Sequence, residues 1–179
     1  RERLAGELKL SPEAKLNSIV EQVLEIEREH ERKLEAQRVE ELVTTAHKHG
    51  PAVLGLDDTL LTIVEERVRL LVVEEEFAQG GYECPSCGFQ AAGKTEICPL
   101  CGMPPIEQPD IVEIALHRVL ERDGAIEVLR SPESRHALAQ HGRIGALLRY
   151  AYTTVPVTEA EKQQEAEGQA EQEWQREAS

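Results

Sequence analysis

Residues 50–73 read GPAVLGLDDTLLTIVEERVRLLVV, and the spacing of their apolar positions changes twice. Ala52 to Leu56 is a short apolar run of strand length. A stretch of helical period follows through about Glu66, and Val68 to Val73 is a second apolar run. Short runs of this kind, bounded by turn residues and separated by helical stretches, are the pattern of strands and helices packed in layers, so the expected class is α/β. Asp57 or Asp58 stands where the first strand gives way to the helix and is expected to cap it, a carboxylate there accepting from free backbone amides.

The alternation continues towards the C-terminus. Asp110 is placed as the cap of a helix ending at Gly124, Ala125 to Leu129 as a third strand, and Ser131 with Pro132 as the start of a helix closing near Gly142. Ile144 to Tyr150 is expected to be the last strand. Towards the N-terminus, Ser11, Pro12 and Glu13 form a helix start, and apolar residues at Leu16, Ile19, Val23 and Ile26 keep one stripe on one face. Gly50 and Pro51 end that helix. Unbroken, it would be on the order of 55 Å long at 1.5 Å per residue. The Glu, Arg and Lys around residues 25–41 read as its solvated outer face rather than as a coiled-coil seam.

Three segments result. Residues 1–49 are expected to be a helical segment ahead of the domain, read below, from a family resemblance, as a linking helix with the end of a preceding domain, and the opening on Arg1 is expected to mark a fragment of a longer chain. Residues 50–157 form the α/β domain with an insertion at 82–103. Residues 158–179 hold seven Glu, Lys162 and Arg176 among Gln and Ala, too little apolar surface to offset chain ordering, so a disordered tail with Trp174 exposed is expected.

Composition narrows the function. A chain of 179 residues holds one core plus extensions. It is 40% hydrophobic but 3% aromatic, so the core is built from Leu, Val, Ile and Ala, and modules that stack bases on exposed rings are disfavoured. A net charge of −14 repels phosphate unless the basic residues are gathered on one face. No 18-residue apolar run and no basic-then-apolar leader is present, so no membrane contact is expected and the protein reads as cytoplasmic.

The insertion carries the strongest chemistry. Cys84-x2-Cys87 and Cys98-x2-Cys101 each read Cys-Pro-x-Cys-Gly. A two-residue gap lets both thiolates of a pair meet one ion, and Gly88 and Gly102 permit the turn that brings backbone amides towards sulfur. Two such knuckles complete a tetrahedron with no open position, which predicts one structural Zn2+ rather than a catalytic metal, and in a cytosolic chain argues against disulfides or redox work. Overlapping this segment, Gly88 to Thr95 matches the phosphate-loop formula G-x4-G-K-[ST]. That loop needs a strand before it and a helix after it. Here Gly88 belongs to a knuckle, and Cys98 and Pro99 follow Thr95 too closely for a helix, so nucleotide binding is not expected.

No catalytic residues are assigned. None of the six histidines forms a metal-ligand pair, and neither a nucleophile elbow nor a dinucleotide fingerprint occurs. Residues 110–150 hold six Arg, six acids and three His, a neutral stretch in an acidic chain, which makes Arg130, Arg135, His136, Arg143 and Arg149 candidate contacts to an acidic partner or to RNA phosphate.

Three stretches then resemble the C-terminal domain of the archaeo-eukaryotic class-one peptide chain release factors, and in particular their bacterial homologues. Gly50-Pro51-Ala52-Val53-Leu54-Gly55-Leu56-Asp57 resembles the family's Gly-x-Ala-Val-x-Gly strand. Thr59 to Val73 resembles its helix and Leu-Leu-rich second strand. Gly142-Arg143-Ile144-Gly145-Ala146-Leu147-Leu148-Arg149-Tyr150 is close to the family's Gly-Gly-Ile-x-Ala-Leu-Leu-Arg-Tyr ending. The resemblance covers about residues 35–152, and a cysteine-bearing minidomain after the second strand fits archaeal members. It implies a three-layer α/β/α domain akin to the ribosomal kink-turn-binding fold, used by release factors and the related Pelota rescue proteins to engage the ribosome and a translational GTPase. The family's catalytic Gly-Gly-Gln lies in another domain and is absent here; Gln79-Gly80-Gly81 is the reverse order and is given no role. On the same resemblance, residues 1–49 include the end of a preceding domain and its linking helix. The expected function is therefore a docking module in termination, rescue or hibernation, with a kink-turn-type RNA binder as the first alternative and a nucleotide-binding enzyme using the phosphate-loop match as the less favoured one.

Overall fold

The structure, a computed structural model of the chain, describes residues 16–151. The helix start at Ser11 and Pro12, Trp174 and the tail from Thr158 lie outside the described residues. In chain order the elements are α1 (Leu16–His47), β1 (Ala52–Leu54), α2 (Leu56–Val64), β2 (Val68–Glu74), β3 (Gly81–Glu83), β4 (Gln90–Ala91), β5 (Ile106–Gln108), α3 (Ile111–Glu121), β6 (Ala125–Leu129), α4 (Pro132–Ala139) and β7 (Ile144–Leu148). The class is mixed α/β, with four helices and two sheets among the described residues.

The larger sheet has the order β1-β7-β2-β6, with β2 parallel to β6 and β7 antiparallel to both β1 and β2. Its centre explains the apolar runs. Every residue of β2 except Arg69 is buried, because helices cover both faces. One cluster joins Leu71 and Val73 of β2 and Ile144 and Ala146 of β7 to α2 and α3 through Leu60, Ile63, Ile111 and Val119. The other joins Leu70 and Val72 of β2 and Leu147 of β7 to α1 and α4 through Val39, Leu42 and Leu138. Alternate strand residues point to opposite faces, which assigns each run to two cores at once. The register slips between Val68 and Leu70, where Arg69 is the extra residue; such a bulge lets the strand carry a charge near its N-terminal end without burying it.

Local details depart from expectation in two places. The first strand ends at Leu54, and the cap of α2 is Gly55, with φ of 85° and no side-chain bond. Asp57 and Asp58 lie inside the first turn instead, favourable to the helix dipole but not caps. The second concerns α4. Ser131 does occupy the cap position, yet its hydroxyl bonds outwards: Ser131 Oγ donates to Glu35 of α1 at 2.6 Å, and the amides of Arg130 and Ser131 donate to the same carboxylate at 3.1 and 2.9 Å. A buried acid on α1 thus caps α4, so residues 25–41 are not solvated throughout. Asp110 behaves as expected, accepting from Val112 and Glu113 amides at 2.9 and 3.3 Å.

Parallel strands β2 and β6 require a crossover. Here it contains α3 and, before it, a second sheet of order β4-β3-β5. The entry and exit of this insertion are tied together: Ile111 N donates to Gln79 O at 2.8 Å, and Gly81 pairs with Gln108.

Candidate metal centre

Two turns of matching geometry present the cysteines. In the first, Cys84 N donates to Phe89 O and Gly88 N to Cys84 O, both at 2.8 Å; in the second, Cys98 N donates to Met103 O and Gly102 N to Cys98 O, both at 2.9 Å. Gly88 and Gly102 close these turns with φ of 74° and 76°, a conformation that L side chains rarely adopt. The four Sγ atoms lie within 4.8 Å of one another. Two separations of 3.4 Å, Cys84–Cys101 and Cys87–Cys98, run between the knuckles.

A regular tetrahedron of sulfurs around an ion at 2.3 Å has edges of about 3.8 Å. The cluster is therefore sized for one ion that would join the two turns, and the thiols are far beyond disulfide length. Their acidities are pulled apart. Burial raises the Cys84 thiol, but the amides of Cys87 and Ser86 and the neighbouring thiols of Cys101 and Cys87 outweigh it and bring it down to about 7. At Cys87 the Phe89 amide favours the thiolate, while burial and the thiols of Cys98, Cys101 and Cys84 overcome it and push the value up to about 12. Drawing all four together as thiolates is work for a divalent cation.

Arg118 of α3 ties the first knuckle to the domain. It donates to the carbonyl of Gly88 and, at 2.9 Å, to Glu83. The same contacts settle the phosphate-loop match. Gly88 is the knuckle glycine, Gln90 and Ala91 are strand β4, Thr95 donates to Gly93 O at 3.3 Å, and no helix follows before α3.

The five candidate contact residues are only partly gathered. Arg135 reaches Glu74 Oε1 through two nitrogens at 3.2 Å, Arg143 reaches Glu74 Oε2 at 2.6 Å, and the Arg143 guanidinium lies 4.7 Å over the Phe77 ring. The hydrogen bond from Arg143 holds the Glu74 carboxyl below its usual range; burial opposes this and Arg135 reinforces it. Reciprocally, Glu74 raises Arg143. Arg130 pairs with the adjoining Glu75 at 3.4 Å. Arg149 is at the other end of β2, donating to Val68 O and Arg122 O at 3.2 and 2.5 Å, six residues and about 20 Å from Glu74 at strand rise. His136 faces Gln140 and borders an apolar groove of about 400 Å³ between α1 and α4. Glu74, Phe77 and Arg118 were not singled out from sequence, since their partners are distant along the chain.

Neither a protein-family model nor a curated protein matches the sequence. Solved structures do: the C-terminal domain of peptide chain release factor from Methanosarcina mazei aligns with a TM-score of 0.52 at 18% identity, over 80% of this chain and 98% of that one. The fold is that of a release-factor C-terminal domain. Pelota from Archaeoglobus fulgidus aligns with a TM-score of 0.55 at 19% identity over 83% of this chain, which spans 40% of Pelota. At such identities the likeness is one of fold. Within this release-factor fold, two of the stretches that carried the sequence resemblance meet as neighbours: Ala52, Val53 and Leu54 of β1 pair with Leu147, Ala146 and Gly145 of β7. Gly142 approaches Gly55 so closely that a Cβ on it would lie 2.8 Å from the Gly55 Cα. No described helix is long and apolar enough to cross a membrane.

Proposed function

We propose that this chain is a docking module of a bacterial release-factor-like protein, acting on the ribosome in termination, rescue or hibernation, in the cytoplasm and alongside a translational GTPase. Its α/β unit is read as the three-layer, kink-turn-binding type of domain, and its four cysteines as the ligands of one structural Zn2+. The observation that carries the reading is the fold likeness to a release-factor C-terminal domain, which extends over 98% of that domain. The metal's part is to hold a small ribbon that has almost no core of its own; from 82 to 108 only Cys84, Gln90 and Cys98 are buried. A four-thiolate site leaves no position for water or substrate, so the ion supplies shape rather than chemistry. Contacts through Arg130, Arg135, His136, Arg143 and Arg149 belong to the same proposal.

Co-sedimentation of the zinc-loaded chain with purified ribosomes, with and without a translational GTPase, tests it. Pelleting above a protein control is expected; pelleting with neither sinks the docking role. Elemental analysis is expected to give one zinc per chain. Direct RNA binding, the alternative, would show as gel-shift affinity with a steep salt slope, and the charge of −14 opposes it.

A further inference from the structure

The two knuckles of the ribbon have different surroundings. The first is fastened to α3 by Arg118, whose partners Glu83 and Gly88 flank Cys84 and Cys87. The second has no such side-chain hydrogen bond to a helix among the described residues. Cys98 is buried, but Ile97, Leu100 and Met103 are 66%, 60% and 50% exposed, and Ile106, which opens β5, is 54% exposed. Single exposed apolar residues are ordinary on a protein surface; four within ten residues are the reason to ask what covers this knuckle. A loop already fixed by metal at Cys98 and Cys101 loses little freedom when it is covered.

Beside the knuckle is an open strand edge. β5 pairs with β3 alone, so its outer side is unpaired among the described residues. Pro105 and Pro109 bracket its three residues, which limits pairing to a short segment and discourages indiscriminate sheet growth. Charge selects the occupant. Glu96 and Glu107 are exposed, and Lys94 is the one cation in the sequence between residues 89 and 109; four thiolates around a divalent ion would leave a net double negative charge, offset in part by Arg118 at the first knuckle. Polyanions are repelled, and so is a second copy of a chain whose charge is −14.

Resting on the docking role above, we propose that the second knuckle and the outer edge of β5 receive an extended, cationic protein segment. It adds as a short strand beside β5 and lays its apolar side chains on Ile97, Leu100 and Met103. Main-chain pairing supplies register and the apolar contacts supply most of the affinity.

The test is a titration of the 15N-labelled, zinc-loaded full chain with a hexapeptide alternating valine and lysine. Amide shifts are expected within residues 97–108. Binding is expected to be at least about tenfold weaker for the valine–glutamate peptide and for the variant Ile97→Ser/Leu100→Ser/Met103→Ser, whose zinc content reports an intact ribbon, since a tenfold change corresponds to about 1.4 kcal/mol. The charge reversal Glu96→Lys/Glu107→Lys is expected to abolish the preference for lysine. No shifts at millimolar peptide, shifts elsewhere, or an equal response to oligouridylate overturns the proposal. Ribosome pelleting separates the two ideas: a triple variant that pellets as well as wild type overturns this face and leaves docking intact. A wild type that does not pellet removes the docking role, and the peptide titration then decides the face by itself.

Discussion

Replacing Glu35 by alanine removes a carboxylate that holds α1 against the start of α4. Glu35 is 7% exposed and accepts three hydrogen bonds, from Arg130 N, Ser131 N and Ser131 Oγ. A bond to a charged acceptor contributes about 1.5–3 kcal/mol. Three donors share one carboxylate, and water reaches part of the vacated site, so two bonds at the low end of that range are the working figure: about 3 kcal/mol. Against a domain stability of about 5–15 kcal/mol this is a large loss. With a urea slope near 2 kcal/mol/M, the midpoint should fall by about 1.5 M with the slope unchanged. Glu35→Gln keeps the shape and one acceptor oxygen while turning an amide towards the donors, and should lose about half as much. Glu29→Ala, on an exposed position of the same helix, is the control and should stay within about 0.5 kcal/mol of wild type. If Glu35→Ala unfolds at the midpoint of Glu29→Ala, the carboxylate does not cap α4 and the account of that junction is wrong.

Stripping metal from the loaded protein with a chelator should abolish hydrogen-exchange protection at the amides of Cys84, Gly88, Cys98 and Gly102, while those of Leu71 and Val72, in the larger sheet, keep theirs; simultaneous loss in both sheets would show that the ribbon is not an independent unit. Arg118→Ala, which leaves Glu83 and the Gly88 carbonyl without their donor, should weaken zinc retention by about tenfold in competition with a chelator, and unchanged retention would remove its role as anchor. Acid should act through Glu74. Its carboxyl is lowered in the folded chain, so its contribution is complete above the ordinary carboxylate range and disappears as pH falls through the lower folded value. The stability advantage of wild type over Glu74→Gln should accordingly be full at pH 7 and shrink below pH 4.5, the ordinary value; an advantage constant down to the point of acid unfolding would contradict the Arg143 and Arg135 contacts.

What could be seen in advance depended on how local each cause was. β2, β6, α3 and the paired knuckles were legible because an apolar run, the Asp110 cap or a two-residue cysteine gap declares itself within a few positions. Gly55 displaced Asp57 and Asp58 as the cap because its backbone turns to positive φ, a choice that side-chain preference does not report. The strands β3, β4 and β5 have two or three residues each and no apolar period; their pairing follows from the metal site and the neck, not from composition. Glu35 and its acceptor role were hidden because its partners lie 95 and 96 positions away, and Glu74 because Arg135 and Arg143 are 61 and 69 positions on. On a charged helix or at a strand end, such residues cannot be told from solvated ones until the chain has folded back.

The closed neck of the insertion leaves the chain almost touching itself: a Cβ on Gly80 would come within 3.6 Å of Gln108 O and 3.7 Å of Pro109 O. A chain running from Gly80 straight to Pro109 would therefore reach α3 without stretching, and the crossover from β2 to β6 would survive with its handedness unaltered. The ribbon is in that sense a cassette. It can be cut out, lengthened or grafted onto another sheet of this order at little topological cost, and a packing consequence would fall where Ala92 lies against the core of α2 and α3.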